Sequence, residues 1–266
     1  MTAQNANSTD FLELMDVGDA RDATDERLEA IAFECLSSGL TDARVASVLN
    51  ILGFSGGFPC FAIAGRTATT AAGARHQISK AVRDLGGGAC ITGAHGDIVA
   101  AVILPEAAVT REVTGTAVAP AFSTEASPVC LGSLRHGADG ASRSLRGALH
   151  TLTAASALTD IPHTLRAEDM LPERALLGDD DARRELVDAV YGSLVESGPD
   201  DPTLETVSTF LFSGGSLEAT AKSLNVHPNT VRYRLKRAAD TTGWDATDPR
   251  EAYVLRTAIS LGRMGL

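Results

Sequence analysis

The amino-acid sequence predicts an α+β protein in which a small sheet flanked by helices is followed by an all-helical C-terminal domain. Three observations predict it. Between residues 57 and 158, short apolar runs alternate with stretches of helical periodicity and one tight polar connection. Ser197-Gly198-Pro199-Asp200-Asp201-Pro202 cannot continue a helix, because proline fixes φ and removes an N–H donor, so it reads as a linker. Charge also divides there: residues 203–266 hold eight Lys and Arg against six Asp and Glu, whereas the rest of the chain holds fifteen against twenty-eight. With 44% hydrophobic and 21% charged residues, the 266-residue chain has the composition of a folded protein, not of a disordered or collagenous one. A net charge of -11 excludes a protein that binds nucleic acid over its whole surface, and leaves the C-terminal stretch as the place where a polyanion is tolerated.

Residues 1–23 are polar, acidic and aperiodic, and are expected to be a disordered lead-in. Met1–Asp10 lacks the layout of a secretory signal, and nowhere do eighteen apolar residues run together, so a cytoplasmic protein with no membrane partner is expected. Two helices occupy 24–56, with Leu28, Ile31, Ala32, Cys35 and Leu36 on one face of the first and Val45, Val48, Leu49 and Leu52 on one face of the second. The α+β domain spans 57–165. Cys60–Ala64 is a short strand, and Thr69–Leu85 a helix with Ala71, Ile78, Val82 and Leu85 inward, stopped by Gly86-Gly87-Gly88. Strands at Ala89–Gly93 and Ile98–Leu104 close into a hairpin through Ala94-His95-Gly96-Asp97. Val129–Gly132 is a further strand, and a helix from about Ala141 to Leu158 buries Leu145, Leu149 and Leu152, which completes a small antiparallel sheet with helices. Residues 160–170 read as irregular. A helical connector and linker occupies 166–202, with Gly178-Asp179-Asp180-Asp181 capping a helix over Ala182–Glu196 whose inward set is Leu186, Ala189, Val190 and Leu194. Cys35, Cys60, Cys90 and Cys130 lie far apart with no C-x-x-C pair, and are expected to be reduced, small buried hydrophobes.

The helical domain begins at Thr203. Its first helix, Leu204–Phe212, turns Leu204, Val207, Leu211 and Phe210 inward and ends at Gly214-Gly215. Ser216 N-caps a second helix with Leu217, Ala221 and Leu224 as its apolar stripe. Asn225 tolerates a left-handed turn, Val226 plugs it, His227 takes the N-cap and Pro228 the first helical position of a third helix. The spacing Ala221-x-x-Leu224-x-Val226-x-x-x-x-Val231-x-x-x-Leu235 is the skeleton of a helix-turn-helix. On a helical wheel Val231, Leu235, Ala238 and Ala239 share one face, Asn229, Thr230, Tyr233, Lys236 and Arg237 point away from it, and Arg232 and Arg234 lie on the flanks. Apolar spacing alone fits a plain helical bundle equally well. Four cations between Arg232 and Arg237 with no intervening acid, in so acidic a chain, favour double-stranded DNA as the partner. Asn229, Thr230, Tyr233 and Arg237 are the expected base contacts, and Arg232, Arg234, Lys236 and Lys222 the expected phosphate contacts. His227 is a cap or phosphate contact, and Arg232 and Arg234 have an internal hydrogen-bonding role as their alternative.

Leu224-Asn225-Val226-His227-Pro228-Asn229-Thr230-Val231-Arg232-Tyr233-Arg234-Leu235, followed by Thr242-Gly243 and by Asp248-Pro249 ahead of a last helix through Leu255, Ala258 and Leu261, resembles the C-terminal helix-turn-helix of the PucR/CdaR transcriptional regulators. More weakly, residues 57–165 resemble the GGDEF-like domain that precedes it in that family. The resemblance implies a degenerate GGDEF-like domain joined to a Fis-like DNA-binding domain over 203–266, a recognition helix at Pro228–Ala238, a homodimer and a small-molecule effector. Many relatives carry a sizeable sensor ahead of the GGDEF-like domain, where about 55 residues stand here. Richness in arginine and alanine with only three lysines fits an actinobacterial source.

Other chemistry finds little footing. A diguanylate cyclase, the enzymatic activity that a GGDEF-like domain suggests, needs carboxylates at its hairpin tip to hold two metal ions, and Ala94-His95-Gly96-Asp97-Ile98 offers one. Gly86-Gly87-Gly88 follows a helix, the wrong polarity for a phosphate cradle. Gly132, Gly137 and Gly140, near Arg135 and His136, precede a helix and could receive an anionic effector, although a plain loop explains them as well. No catalytic residue, metal site or cofactor is expected. The competing functional reading is a nucleotide- or metabolite-sensing interaction module whose helical tail only dimerises.

Overall fold

The structure, a computed structural model, describes residues 24–106, 108–123, 127–196, 198 and 201–265; the expected lead-in of residues 1–23 lies outside these. The chain divides into two compact units, Met1–Glu168 and Asp169–Leu266.

The first unit opens with α1 (residues 24–37) and α2 (Ala43–Ile51), the latter capped by the Asp42 carboxylate, which accepts from the Arg44 and Val45 amides. Five strands follow one another across the sheet in the order β2 (Cys90–His95), β3 (Ile98–Ile103), β1 (Pro59–Arg66), β4 (Val129–Leu131) and β6 (Thr164–Arg166), and the short β5 (Arg135–His136) pairs with the start of β1. Between the strands run α3 (Ala71–Asp84), α4 (Arg111–Val118) and α5 (Gly137–Ala154). β1 is buried from Cys60 to Gly65, so both faces of the sheet are covered. Its residues alternate in size as well as direction. Cys60, Ala62 and Ala64 pack with Phe33 and Leu36 of α1, Val45 and Leu49 of α2 and Leu145 of α5, while Phe61 and Ile63 pack with Ile78 and Val82 of α3. The result is three layers, helix on sheet on helix.

Polar groups at the sheet margins are satisfied by side chains. On the edge strand β2, the Thr92 amide and hydroxyl both donate to Glu29 of α1, at 2.5 and 2.6 Å, which occupies a donor that a second chain could otherwise pair with. The Ser144 hydroxyl of α5 accepts from the Ala62 amide at 2.9 Å and donates to the Ser133 carbonyl at 2.7 Å. Such close approach explains Gly132, where a Cβ would lie 2.4 Å from the Ser144 carbonyl oxygen, and Gly140, where it would lie 2.8 Å from Cβ of Arg135. Packing therefore accounts for two of the glycines that sequence reasoning offered to an anion.

Several expectations need correction. The sheet is not wholly antiparallel, because β4 and β6 pair parallel. Residues 160–170, expected to be irregular, supply β6 and a helical turn, Ala167–Met170. One three-residue strand with a single buried position has too little alternation to be seen in sequence. α5 begins at Gly137, four residues before its expected start, since a left-handed Gly137 lets the chain turn straight from β5 into the helix. In α1 it is Phe33 that is buried, while Ile31 is 52% exposed.

In the second unit, α6 (Leu171–Leu176) leads to α7 (Asp180–Glu185), which continues through a π-helical turn (Leu186–Tyr191) into α8 (Gly192–Val195). The buried Asp179 carboxylate caps α7 and pairs with the buried Arg174 at 2.7 Å, fixing the corner between α6 and α7. Leu186, Val190 and Leu194 face inward, but Ala189 is exposed, because each residue of a π-turn advances less than in an α-helix and the inward stripe passes to Val187 and Tyr191. After the linker come α9 (Thr203–Phe212), α10 (Leu217–Ser223), α11 (Pro228–Thr242) and α12 (Pro249–Met264). One hydrophobic cluster joins Leu171, Leu186 and Leu194 to Val207, Leu235 and Leu255, so the compact unit that holds the helices after Thr203 starts at Asp169.

At Gly93 of β2 an added Cβ would stand 2.2 Å from the Phe33 ring. Gly93→Ala is expected to lower stability by about 1–3 kcal/mol through overpacking, read as an earlier midpoint in chemical denaturation of the full chain.

Candidate nucleic-acid interface

The turn between α10 and α11 is built as the sequence requires. The Ser216 hydroxyl caps α10 by accepting from the Ala219 amide at 3.2 Å. At the far end Asn225, with φ of 53°, is the one non-glycine residue in the left-handed region among the described residues. The Val226 amide then bonds back to the Ala221 carbonyl at 3.0 Å, and Val226 packs against the core of the unit. The His227 ring nitrogen Nδ1 accepts the Asn229 amide at 3.2 Å, and Pro228 occupies the first position of α11, where no amide proton is missed. Because Nδ1 is an acceptor here, the proton of a neutral His227 ring sits on Nε2.

Val231, Leu235 and Ala238 of α11 are buried, and α9, α10 and α12 supply the rest of the cluster they enter. The opposite face is open. Asn229, Arg232, Tyr233 and Lys236 are exposed, Tyr233 to 68%, which for an aromatic side chain on a helix with an apolar core nearby leaves a large surface uncovered. Arg232 donates from Nη1 to Oδ1 of Asn229 at 2.7 Å. Lys222 is exposed on α10, and Thr230 is half-buried.

Two of the expected contact residues have internal partners. Arg234 is half-buried and donates to the hydroxyl of Thr206 in α9 at 3.2 Å, the internal role that the sequence left open for it. Arg237 pairs with Asp201 at 2.8 Å, and the same Asp201 side chain accepts the Thr203 amide at the start of α9. The linker thus holds one cation of α11. Sequence reasoning missed Asp201, Arg250 and Arg256. Arg250 bonds Glu173 and the Asp169 carbonyl, and the hydrogen bonds from its guanidinium to Glu173 push its pKa above the usual arginine value. Arg256 bonds the Leu211 carbonyl and lies 5.8 Å from the exposed Phe212 ring. Only Asp201, placed just before a helix like a capping residue, left a local trace in the sequence.

In the first unit, the hairpin carboxylate Asp97 is bound by Arg66 at 2.5 Å, and that hydrogen bond holds its carboxyl below the usual range. Among the described residues, no three His, Cys, Asp or Glu side chains are grouped to hold a metal ion, and no helix is long and apolar enough to cross a membrane. Cys60 and Cys130 are buried, and burial pushes both thiols to about 12.

Residues 203–261 match the PucR C-terminal helix-turn-helix domain, and residues 37–154 match the GGDEF-like domain. The crystal structure of a regulator of polyketide synthase expression from Bifidobacterium adolescentis is 57% identical and superposes with a TM-score of 0.80, covering 90% of this chain and 98% of that one. The chain belongs to the PucR/CdaR family. A Mycobacterium tuberculosis protein is 34% identical over 257 residues, 94% of this chain and 61% of its own length, and the purine catabolism regulatory protein of Bacillus subtilis is 32% identical over 106 residues, 40% of this chain and 18% of its own length. The chain therefore spans about three fifths of the length of the mycobacterial relative. These relatives include actinobacteria, as the arginine-rich composition suggested. The GGDEF-like match begins at the last residue of α1, ahead of the expected start at residue 57, and takes in α2, which packs on the sheet.

The left-handed turn makes a prediction for this PucR-type domain. Asn225→Ala is expected to cost about 1 kcal/mol, because a Cβ without a local hydrogen-bonding group strains that conformation, whereas Asn225→Gly should stay within a few tenths. Thermal unfolding of the two variants would show the difference.

Proposed function

We propose that this chain is a cytoplasmic, dimeric, effector-controlled transcriptional regulator that binds promoter DNA with α11 in the major groove. The observation that carries the reading is the exposed face of α11, where Asn229, Arg232, Tyr233 and Lys236 stand together on a helix anchored from behind by Val231, Leu235 and Ala238. A helix presenting amide, phenol and cations from a helix-turn-helix corner fits a groove lined by base edges and phosphates. Asn229, Thr230 and Tyr233 are proposed to meet bases and Lys236 and Lys222 to meet phosphates. Arg237 reaches its base, and Arg234 its phosphate, if DNA displaces Asp201 and Thr206. The first unit is proposed to carry effector control without catalysis, since the hairpin carboxylate that a cyclase would need for metal is tied to Arg66.

Lys236→Ala is expected to weaken binding to all duplexes alike and to lower the slope of affinity against salt by about one unit. The double change Arg234→Ala with Arg237→Ala should abolish promoter binding in a gel-shift titration. Retained binding in the double variant would overturn the assignment of α11 as the reading helix, and indifference of the wild-type chain to DNA at low ionic strength would leave a tail that only dimerises.

A further inference from the structure

Charge alone sends Arg232 to the DNA backbone, but its geometry argues for a different place. Its Nη1 donates to Oδ1 of Asn229 one turn earlier, on the exposed first turns of α11. A guanidinium has only donors, so the Asn229 atom facing it must be the oxygen, and the Asn229 NH2 group is thereby turned outward. The two side chains then present chiefly donors: the Asn229 Nδ2 hydrogens together with the remaining N–H groups of Arg232, beside one remaining lone pair of the Asn229 oxygen. Adenine in the major groove offers one acceptor and one donor, and an asparagine that reads it must use its own oxygen as an acceptor. Here one of that oxygen's two lone pairs already holds the Arg232 guanidinium, whose own groups only donate. Guanine offers N7 and O6, two acceptors and no donor on those atoms, which matches the N–H fork of Arg232 that Asn229 holds.

We infer that Asn229 and Arg232 act as one reading unit for a guanine in the operator, with Arg232 forming the fork to the base and Asn229 holding that fork in place. This rests on the proposed DNA-binding function and moves Arg232 from phosphate to base. Both side chains are solvent-exposed on a helix whose buried stripe they do not enter, so their replacement leaves the packing of the unit untouched.

The test uses the full chain and a duplex selected from a randomised pool, followed by titration of every single-base-pair variant against wild type, Asn229→Ala, Arg232→Ala and Arg232→Lys. If the wild-type chain enriches no sequence, the proposed function itself fails. Given an enriched sequence, Asn229→Ala and Arg232→Ala are expected to relax preference at one and the same G·C pair, where wild type favours guanine about ten- to a hundredfold. Arg232→Lys should lose that preference too, since it keeps the charge and loses the fork, while its salt slope stays at the wild-type value. Relaxation at two different base pairs, or at an A·T pair for Asn229→Ala, would overturn the inference by showing independent readers. Full base preference in Arg232→Lys would equally overturn it by returning Arg232 to the backbone.

Discussion

The burial of one narrow stripe on α11 governs what the second unit can present. Val231, Leu235 and Ala238 enter the cluster formed with α9, α10 and α12, and their spacing fixes the rotation of the helix about its own axis. Everything polar on α11 is placed by that rotation: the side chains nearest the stripe meet protein, as Arg234 does with Thr206, and those farthest from it meet solvent, as Tyr233 does. The turn at Asn225 and the start at His227 and Pro228 then set where the helix begins. Rotation and origin together decide which residues can stand at a groove.

This part of the molecule was legible in the sequence because its determinants are local. A left-handed asparagine, a plugged turn, a capping histidine, a proline at the first helical position and an apolar stripe at helical spacing each act within a few residues. The internal partners of Arg234 and Arg237 were harder to see. The Thr206 hydroxyl lies 28 residues away in sequence from Arg234, and no periodicity announces a hydrogen bond between helices. Arg250 meets Glu173 across 77 residues, and nothing in composition pairs them.

In the first unit, strands buried on both faces read as short apolar runs and were found, as was the hairpin. β6 was missed because three residues with one buried position leave no pattern, and its partner β4 lies in a separate stretch of chain. The linker at the prolines announces itself by composition, whereas the cluster that draws Leu171 to Leu194 into the same core as α11 is a fact of tertiary packing.

The π-helical turn at Leu186–Tyr191 carries a consequence for descent and design. It holds one residue more than an α-helical path would need, and it seats the Tyr191 ring where Gly262 of α12 leaves room: a Cβ there would lie 2.2 Å from the ring. Deleting one residue from the bulge would turn every later side chain of that helix by roughly a quarter of a circle, carrying Leu194 out of the core and emptying the notch at Gly262. Bulge and notch are therefore a matched pair, and a homologue that straightens this helix should also fill position 262 with a side chain.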